Sequence, residues 1–260
     1  MHYYIVNPSA GNDAFADMQH KLKRTLRDFN IDGEFAKTLK KHDARKITRA
    51  AVERGFQTIV VVGGDTTVNE VITAVHESGA RSVAVGIIPI GRQNTLARFL
   101  GIEDWQQACR LLAARRLQSY NLVHVNDHSF IHSCHIAPRH NESADPVLAE
   151  IDGSYKLRGD ILATTVANQK IHNPHLPNEL LLRFWPVADR PSWWRRFMSK
   201  QPPRTLPTQL HARVAILEFA SQQTATIDGR TLHDSRFRIR LSQTPIRLIT
   251  AARDEEFDRG

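Results

Sequence analysis

The stretch Val60-Val61-Val62-Gly63-Gly64-Asp65-Thr66-Thr67-Val68-Asn69-Glu70 carries an apolar run through two glycines and straight into a helix-like pattern. A turn of that kind suits phosphate. Glycines let the backbone approach an anion closely, and the free N–H groups at a helix start, at the positive end of the helix dipole, supply donors. Asp65 narrows the chemistry. A carboxylate beside a polyphosphate repels it unless a cation or a transferable proton lies between the two. That requirement points to Mg²⁺ and phosphoryl transfer, with Asp65 orienting the metal or taking the proton. The plainer alternative is a tight strand-to-helix turn whose aspartate only caps the helix.

Two more turns follow apolar runs: Asn7-Pro8-Ser9-Ala10-Gly11, and Gly91-Arg92-Gln93-Asn94 after Pro89 and Ile90. Thr38 closes a further run. In a parallel sheet the C-terminal strand ends lie along one edge and form the ligand crevice. Asn7, Pro8, Ser9, Thr38, the turn from Gly63 through Thr66 and Thr67 to Asn69 and Glu70, and Gly91, Arg92 and Asn94 are therefore predicted to border one crevice.

The elements that would carry these turns are legible in the first 117 residues. Tyr3–Val6, Glu34–Thr38, Thr58–Val62 and Val83–Ile88 read as strands, the last two as buried central ones. Phe15, Met18, Leu22, Leu26 and Phe29, spaced 3, 4, 4 and 3, share one helical face behind an Asp13 cap. Ala44, Ile47 and Ala51 mark a second helix, Val68, Val71, Ile72 and Val75 a third, and Trp105, Ala108, Cys109 and Leu112 a later one. After Leu117 the pattern changes to short alternating or β-branched runs: Leu122–Val125, Ser129–Ile136, Ile161–Ala167, Leu180–Trp185, Val214–Phe219, Phe237–Leu241 and Ile246–Thr250. The prediction is a three-layer α/β domain over residues 1–117, with a parallel sheet, and an antiparallel β-sandwich over 118–260. Pro186 to Pro207 reads as a long exposed loop.

Composition bounds the remaining classes. With 260 residues, 41% hydrophobic and 24% charged, the chain is long enough for one or two ordinary globular cores. Its two cysteines, Cys109 and Cys134, form no CxxC, which argues against a disulfide framework or a cysteine-built metal site and for a reducing, cytoplasmic setting. The N-terminal residues carry no signal-like pattern and no run approaches a membrane span. Lys plus Arg number 35 against 27 acids, a net charge of +8 that attracts anionic partners without choosing among them.

The motifs taken together, NPSAG, GGDxTxNE, IPIGxxNxLARxLGI and Ile227-Asp228-Gly229, resemble the diacylglycerol kinase catalytic family, which includes bacterial lipid kinases and sphingosine kinases. The resemblance follows order and spacing along nearly the whole chain, and Asn69-Glu70 separates it from the NAD kinases. It implies an active site between the two domains, ATP held by Asn7, Thr38, the turn from Gly63 to Asn69 and the position of Arg92, and transfer of the γ-phosphoryl group to a lipid hydroxyl with Mg²⁺. Asp65, Asp228 and Arg230 then occupy the catalytic positions. Three departures bear on activity. Thr66 stands where the family has a last glycine; a β-branched residue forced to φ > 0 costs on the order of 1–3 kcal/mol, so a reshaped or strained turn is predicted. Gly91-Arg92-Gln93-Asn94 replaces GTGN or GTAN, exchanging a small hydroxyl for a guanidinium that can fork onto phosphate. Asp228-Gly229-Arg230 replaces Asp-Gly-Glu, and arginine cannot accept a proton. The alternative is therefore a nucleotide-binding homologue with impaired catalysis.

Two other features were weighed. His124, His128, His132, His135, His140, His172 and His175 crowd the second half, but His132 and His135, three apart, are predicted on opposite faces of a strand, and solvated histidines fit better than a metal site. Trp193, Trp194, Arg195, Arg196 and Phe197 lie in a segment, Arg190 to Arg204, with five cations and no acid. Interfacial aromatics among cations fit transient docking on an anionic membrane, or local packing under the loop. No reading head for nucleic acid is recognisable, a homodimer is left open, and peripheral membrane association of a cytoplasmic protein is the predicted location.

Overall fold

A computed structural model describes residues 1–10, 14–40, 42–138, 145–168, 177–186, 206–227 and 230–251, with the backbone alone at 14–17 and 230. The first part alternates β1 (His2–Val6), α1 (Ala14–Asp28), β2 (Gly33–Lys37), α2 (Asp43–Glu53), β3 (Thr58–Gly63), α3 (Asp65–Glu77) and β4 (Ala84–Pro89), followed by α4 (Thr95–Phe99) and α5 (Trp105–Ala114). β1 pairs in parallel with β2 and β3, and β3 with β4. β3 and β4 are buried at every position, as their continuous apolar runs require. Met18, Leu22 and Leu26 of α1 face the core, but Phe29 lies beyond the helix end and is 40% exposed, so the inward stripe stops one turn earlier than its spacing suggests.

The second part contains β5 (Leu117–Val125), β6 (His128–Phe130), β7 (Ser133–Pro138), β8 (Asp145–Ile151), β9 (Tyr155–Asn168), β10 (Leu180–Pro186), β11 (Thr208–Ala212), β12 (Val214–Ile227) and β13 (Arg230–Ile249). Its internal pairings are antiparallel. β12 breaks register between Glu218 and Gln223, where the buried Asp145 carboxylate accepts from Ser221 N (3.0 Å), Ser221 Oγ (2.7 Å) and Gln223 Nε2.

The 20-residue β13 changes the expected architecture. One stretch pairs with β12, and its end, Arg247 and Leu248, pairs in parallel with Ala84 and Val85 of β4. Among the described residues all the strands therefore join one mixed sheet, ten of them in the order β11-β10-β9-β7-β12-β13-β4-β3-β1-β2 with β5, β6 and β8 branching from β13, β5 and β12, where a parallel sheet and a separate sandwich were anticipated. The apolar cores are nonetheless two. One gathers the helices and β1 to β4 together with Tyr120, Leu122, Ile131, Ile246, Leu248 and Ile249; the other lies within the β-rich part, around Phe130, Phe184 and Phe237. A single cut between residues 117 and 118 does not separate them, because the chain returns to the first core after building the second.

Candidate active site

The strand ends do converge. Asn7 N donates to Val62 O (2.9 Å) and Thr38 N to Val6 O (2.8 Å), aligning the ends of β1, β2 and β3. α3 begins at Asp65 with Gly64 as its N-cap, and its first internal bond runs from Val68 N to Gly64 O (3.0 Å). The amides of Asp65, Thr66 and Thr67 precede that bond and are the orphan donors of the helix start. No side chain caps them.

The glycines at this turn serve a contact that their motif alone does not reveal. A Cβ built on Gly91 would stand 2.6 Å from Gly64 Cα, and one built on Gly64 would stand 3.2 Å from Gly91 Cα. The two turns pack backbone against backbone, so a Cβ has no room at Gly91, and one at Gly64 fits only if Gly91 yields by a few tenths of an ångström. Asn94 holds the second turn. Its Nδ2 donates to Gly91 O (2.7 Å), its Oδ1 accepts from Gly91 N (2.9 Å), and its φ of 49° is one that asparagine tolerates. Asn7 holds the first, donating through Nδ2 to Thr67 Oγ1 (2.9 Å) and accepting from Ser9 N (3.1 Å).

These turns form one wall of a crevice of about 580 Å³. Asn7, Ser9, Ala10, Gly64, Asp65, Thr66, Thr67, Gly91, Arg92, Gln93 and Thr95 line that wall, and His132, Ser133, His135 and Thr226 face them from the β-rich part. Asp65 is half-buried, and its Oδ1 accepts from Leu96 N (3.2 Å), so it ties α3 to the start of α4 while its second oxygen is left for a ligand. This is the capping role of the plain alternative, performed on a different helix from the one anticipated. Thr66 lies exposed in the first turn of α3 and is not among the residues with positive φ, so the anticipated strain is absent.

Other predicted residues lie elsewhere. Asn69 and Glu70 are buried and line a second cavity of about 130 Å³ with His42, Asp127, His128 and Ile227. There Glu70 Oε1 meets His42 Nδ1 at 3.0 Å, and Asn69 Nδ2 donates to Ser129 O (3.2 Å) while Asn69 Oδ1, buried, has no hydrogen-bond partner among the described residues. Pro8, Thr38, Gly63 and Asn94 line neither cavity and stand behind the turns. Asp228 and the Trp193–Phe197 segment, with Trp194, Arg195 and Arg196, lie outside the described residues, as do His140, His172 and His175; Arg230 is placed only by its backbone, opposite Ile227.

The histidine prediction needs correction. β7 begins at Ser133, so His132 occupies the preceding turn and the strand alternation does not apply to it; His132 and His135 line the same crevice. His132 is buried, its ring centroid 3.9 Å from that of Phe99 and its Nδ1 2.9 Å from Ser133 Oγ. Ser133, His135 and Thr226 escaped sequence reasoning; the available signal was that His132 to Pro138 stands where the related family has a glycine-rich stretch. Among the described residues no group of three His, Cys, Asp or Glu side chains can hold a metal ion. Cys109 is buried, which pushes its thiol up to about 11 and leaves it a poor nucleophile.

The fold is shared with a diacylglycerol kinase from Bacillus anthracis str. Sterne (TM-score 0.77, 19% identity, 96% of each chain) and with an NAD kinase from Archaeoglobus fulgidus in complex with ATP (TM-score 0.60, 15% identity, 98% of this chain and 95% of that one). Residues 2–125, just under half of the chain, match the diacylglycerol kinase catalytic domain. A probable lipid kinase YegS-like of Klebsiella pneumoniae (strain 342) is 37% identical over 103 residues, 39% of this chain and 34% of that protein. A putative lipid kinase of Streptococcus pneumoniae serotype 4 is 34% identical over 100 residues, 38% of this chain and 34% of that protein. The chain thus spans about a third of the length of these curated relatives. Among the described residues no helix is long and apolar enough to cross a membrane.

Proposed function

We propose that the protein is a lipid kinase that transfers the γ-phosphoryl group of ATP to a lipid hydroxyl. The observation that carries this reading is the crevice itself. Its one wall is a helix start with orphan amides beside two interlocked glycine turns and a half-buried carboxylate, and its other wall comes from the β-rich part. Phosphates lie against the amides of Asp65 to Thr67, with the Arg92 guanidinium at the mouth. The nucleoside end reaches the second cavity, where Asn69 Oδ1, without a hydrogen-bond partner among the described residues, and the Glu70 carboxylate suit the hydroxyl donors of a ribose.

Mg²⁺ fits the residues present: among the described residues Asp65 is the one carboxylate lining the crevice, and Mg²⁺ in phosphoryl-transfer sites takes one or two carboxylates plus phosphate oxygens and water. Bound there, the ion would neutralise charge on the phosphates during transfer. Asp65 would hold it through the oxygen not bonded to Leu96 N. The lipid arrives by transient contact with an anionic membrane, through Trp193, Trp194, Arg195 and Arg196. A second reading, a nucleotide-binding homologue with little turnover, is favoured by Arg230, which cannot take the proton that the family's glutamate takes.

The test is phosphoryl transfer from labelled ATP to vesicles carrying a panel of lipid alcohols, beside a nucleotide titration. Labelled lipid supports the kinase; tight ATP binding without labelled lipid supports the second reading; neither result leaves both wrong. In the same vesicles, binding that is unchanged by salt and by Trp193→Ala with Trp194→Ala would remove the membrane role of that segment.

A further inference from the structure

If the chain transfers phosphate as proposed above, the acceptor hydroxyl must lose a proton, and Arg230 cannot take it. The nucleotide lies against the glycine turns, so the acceptor enters along the opposite wall, which His132, Ser133, His135 and Thr226 make. Among the described residues of that wall, the serine and threonine hydroxyls do not take a proton at neutral pH, which leaves the two imidazoles. His132 is a poor choice: it is 9% exposed, its Nε2 is buried, its ring lies on Phe99, and its Nδ1 is engaged with Ser133 Oγ. His135 is exposed on β7, with Nδ1 at 3.4 Å from Thr165 Oγ1, a long contact, and Nε2 without a hydrogen-bond partner among the described residues. In register it stands opposite Thr226 of β12, the strand whose last residue, Ile227, pairs with Arg230. A strand spacing of about 4.8 Å puts it roughly two strands from Arg230.

We propose that His135 is the proton acceptor of this transfer. The acceptor's oxygen forms its bond to the γ-phosphorus as the bond from that phosphorus to the bridging oxygen breaks, and the electron pair leaves with ADP. The hydroxyl proton passes to Nε2 of neutral His135. The products are the phosphorylated lipid, ADP and an imidazolium that returns its proton to water. Asp65, on the nucleotide wall and tied to Leu96 N, is thereby left to the metal. The titratable and charged groups around His135 are Asp65 and Arg92 across the crevice, His132 before it, Arg183 in register beyond Thr165, and His233, bonded to Thr224 on the far side of β12.

The experiment compares the full chain with His135→Gln and His135→Ala in transfer from ATP to the lipid the wild type phosphorylates, across pH, with ATP affinity measured alongside. Wild-type rate should show an acid limb, falling as the proton acceptor of the transfer becomes protonated. Both variants should keep ATP affinity, lose about 10²- to 10⁴-fold in rate and lose that acid limb, and added imidazole should partly restore His135→Ala. Variants that keep both the rate and the acid limb would overturn the role of His135 while leaving the kinase standing. A wild type that phosphorylates no acceptor would overturn the kinase reading, and this proposal with it.

Discussion

Asp65 does two things that a single substitution separates. One oxygen accepts from Leu96 N and fixes the start of α4; the other faces the crevice. Asp65→Asn keeps an oxygen for Leu96 N and removes the charge, so the turn should hold its shape and ATP should still bind. Turnover should drop by at least the roughly 10²-fold that a lost acid–base or metal-orienting group costs. Steady-state rates beside nucleotide titration check this, and turnover insensitive to the change would end the catalytic role of Asp65. Arg230→Glu restores the residue type of the related family. A gain in rate would mark the chain as catalytically impaired, whereas a loss would mark it as adapted to Arg230. His135 is the residue whose removal should tell those cases apart, since an adapted enzyme depends on it and an impaired one does not.

The seam between α3, β5 and β13 is a pH-sensitive element. His76 Nε2 lies 2.7 Å from Ser242 Oγ, His124 Nδ1 2.9 Å from Ser129 Oγ, and the two rings stand 5.5 Å apart. Burial lowers both imidazoles below their ordinary 6.5, and Arg240 lowers His124 further. Unfolding releases them to bind protons more readily, so the stability they contribute is fully present above about pH 6.5 and declines as pH falls toward their folded values. Thermal midpoints should therefore fall between pH 7 and about 5.5, and His76→Asn with His124→Asn should flatten that fall. An unflattened profile would assign the pH dependence to other groups. Elements were unevenly legible in the sequence. The buried strands and the inward faces of α3 and α5 followed from apolar runs and spacing. β8 was hidden because Asp145, Pro146 and Glu150 break its apolar reading, although Asp145 is the buried carboxylate that pins the β12 irregularity. β13 read as two strands because Ser242 to Pro245 looks like a turn; the chain passes through it with a register shift, where proline's missing N–H is tolerated. The crevice turns were legible from strand-end glycines, but its second wall was not, since its residues are brought there by pairings between distant strands.

Across the whole molecule, β13 makes the two cores interdependent. Tyr120, Leu122, Ile131, Ile246, Leu248 and Ile249 complete the first core from beyond residue 117. Each buried side chain of this size is worth roughly 1.5–3 kcal/mol, so together they rival the whole stability of a domain, about 5–15 kcal/mol. A fragment of residues 1–117 should show no cooperative unfolding transition by circular dichroism and should not bind ATP; a folded, ATP-binding fragment would show that the return of β13 is dispensable. The net charge of +8 suits the proposed partners, polyphosphate in the crevice and anionic headgroups outside it. What joins these levels is the claim that two interlocked glycine turns, held in place by the sheet, make the phosphate site. The measurement that bears on it is calorimetric titration of ATP into Gly64→Val, with folding verified by its unfolding transition. A valine Cβ would press on Gly91 Cα at 3.2 Å and its methyls would enter the space of the phosphates, so ATP binding should be lost while the fold survives. A folded Gly64→Val protein that binds ATP as tightly as the wild type would contradict the assignment of this crevice.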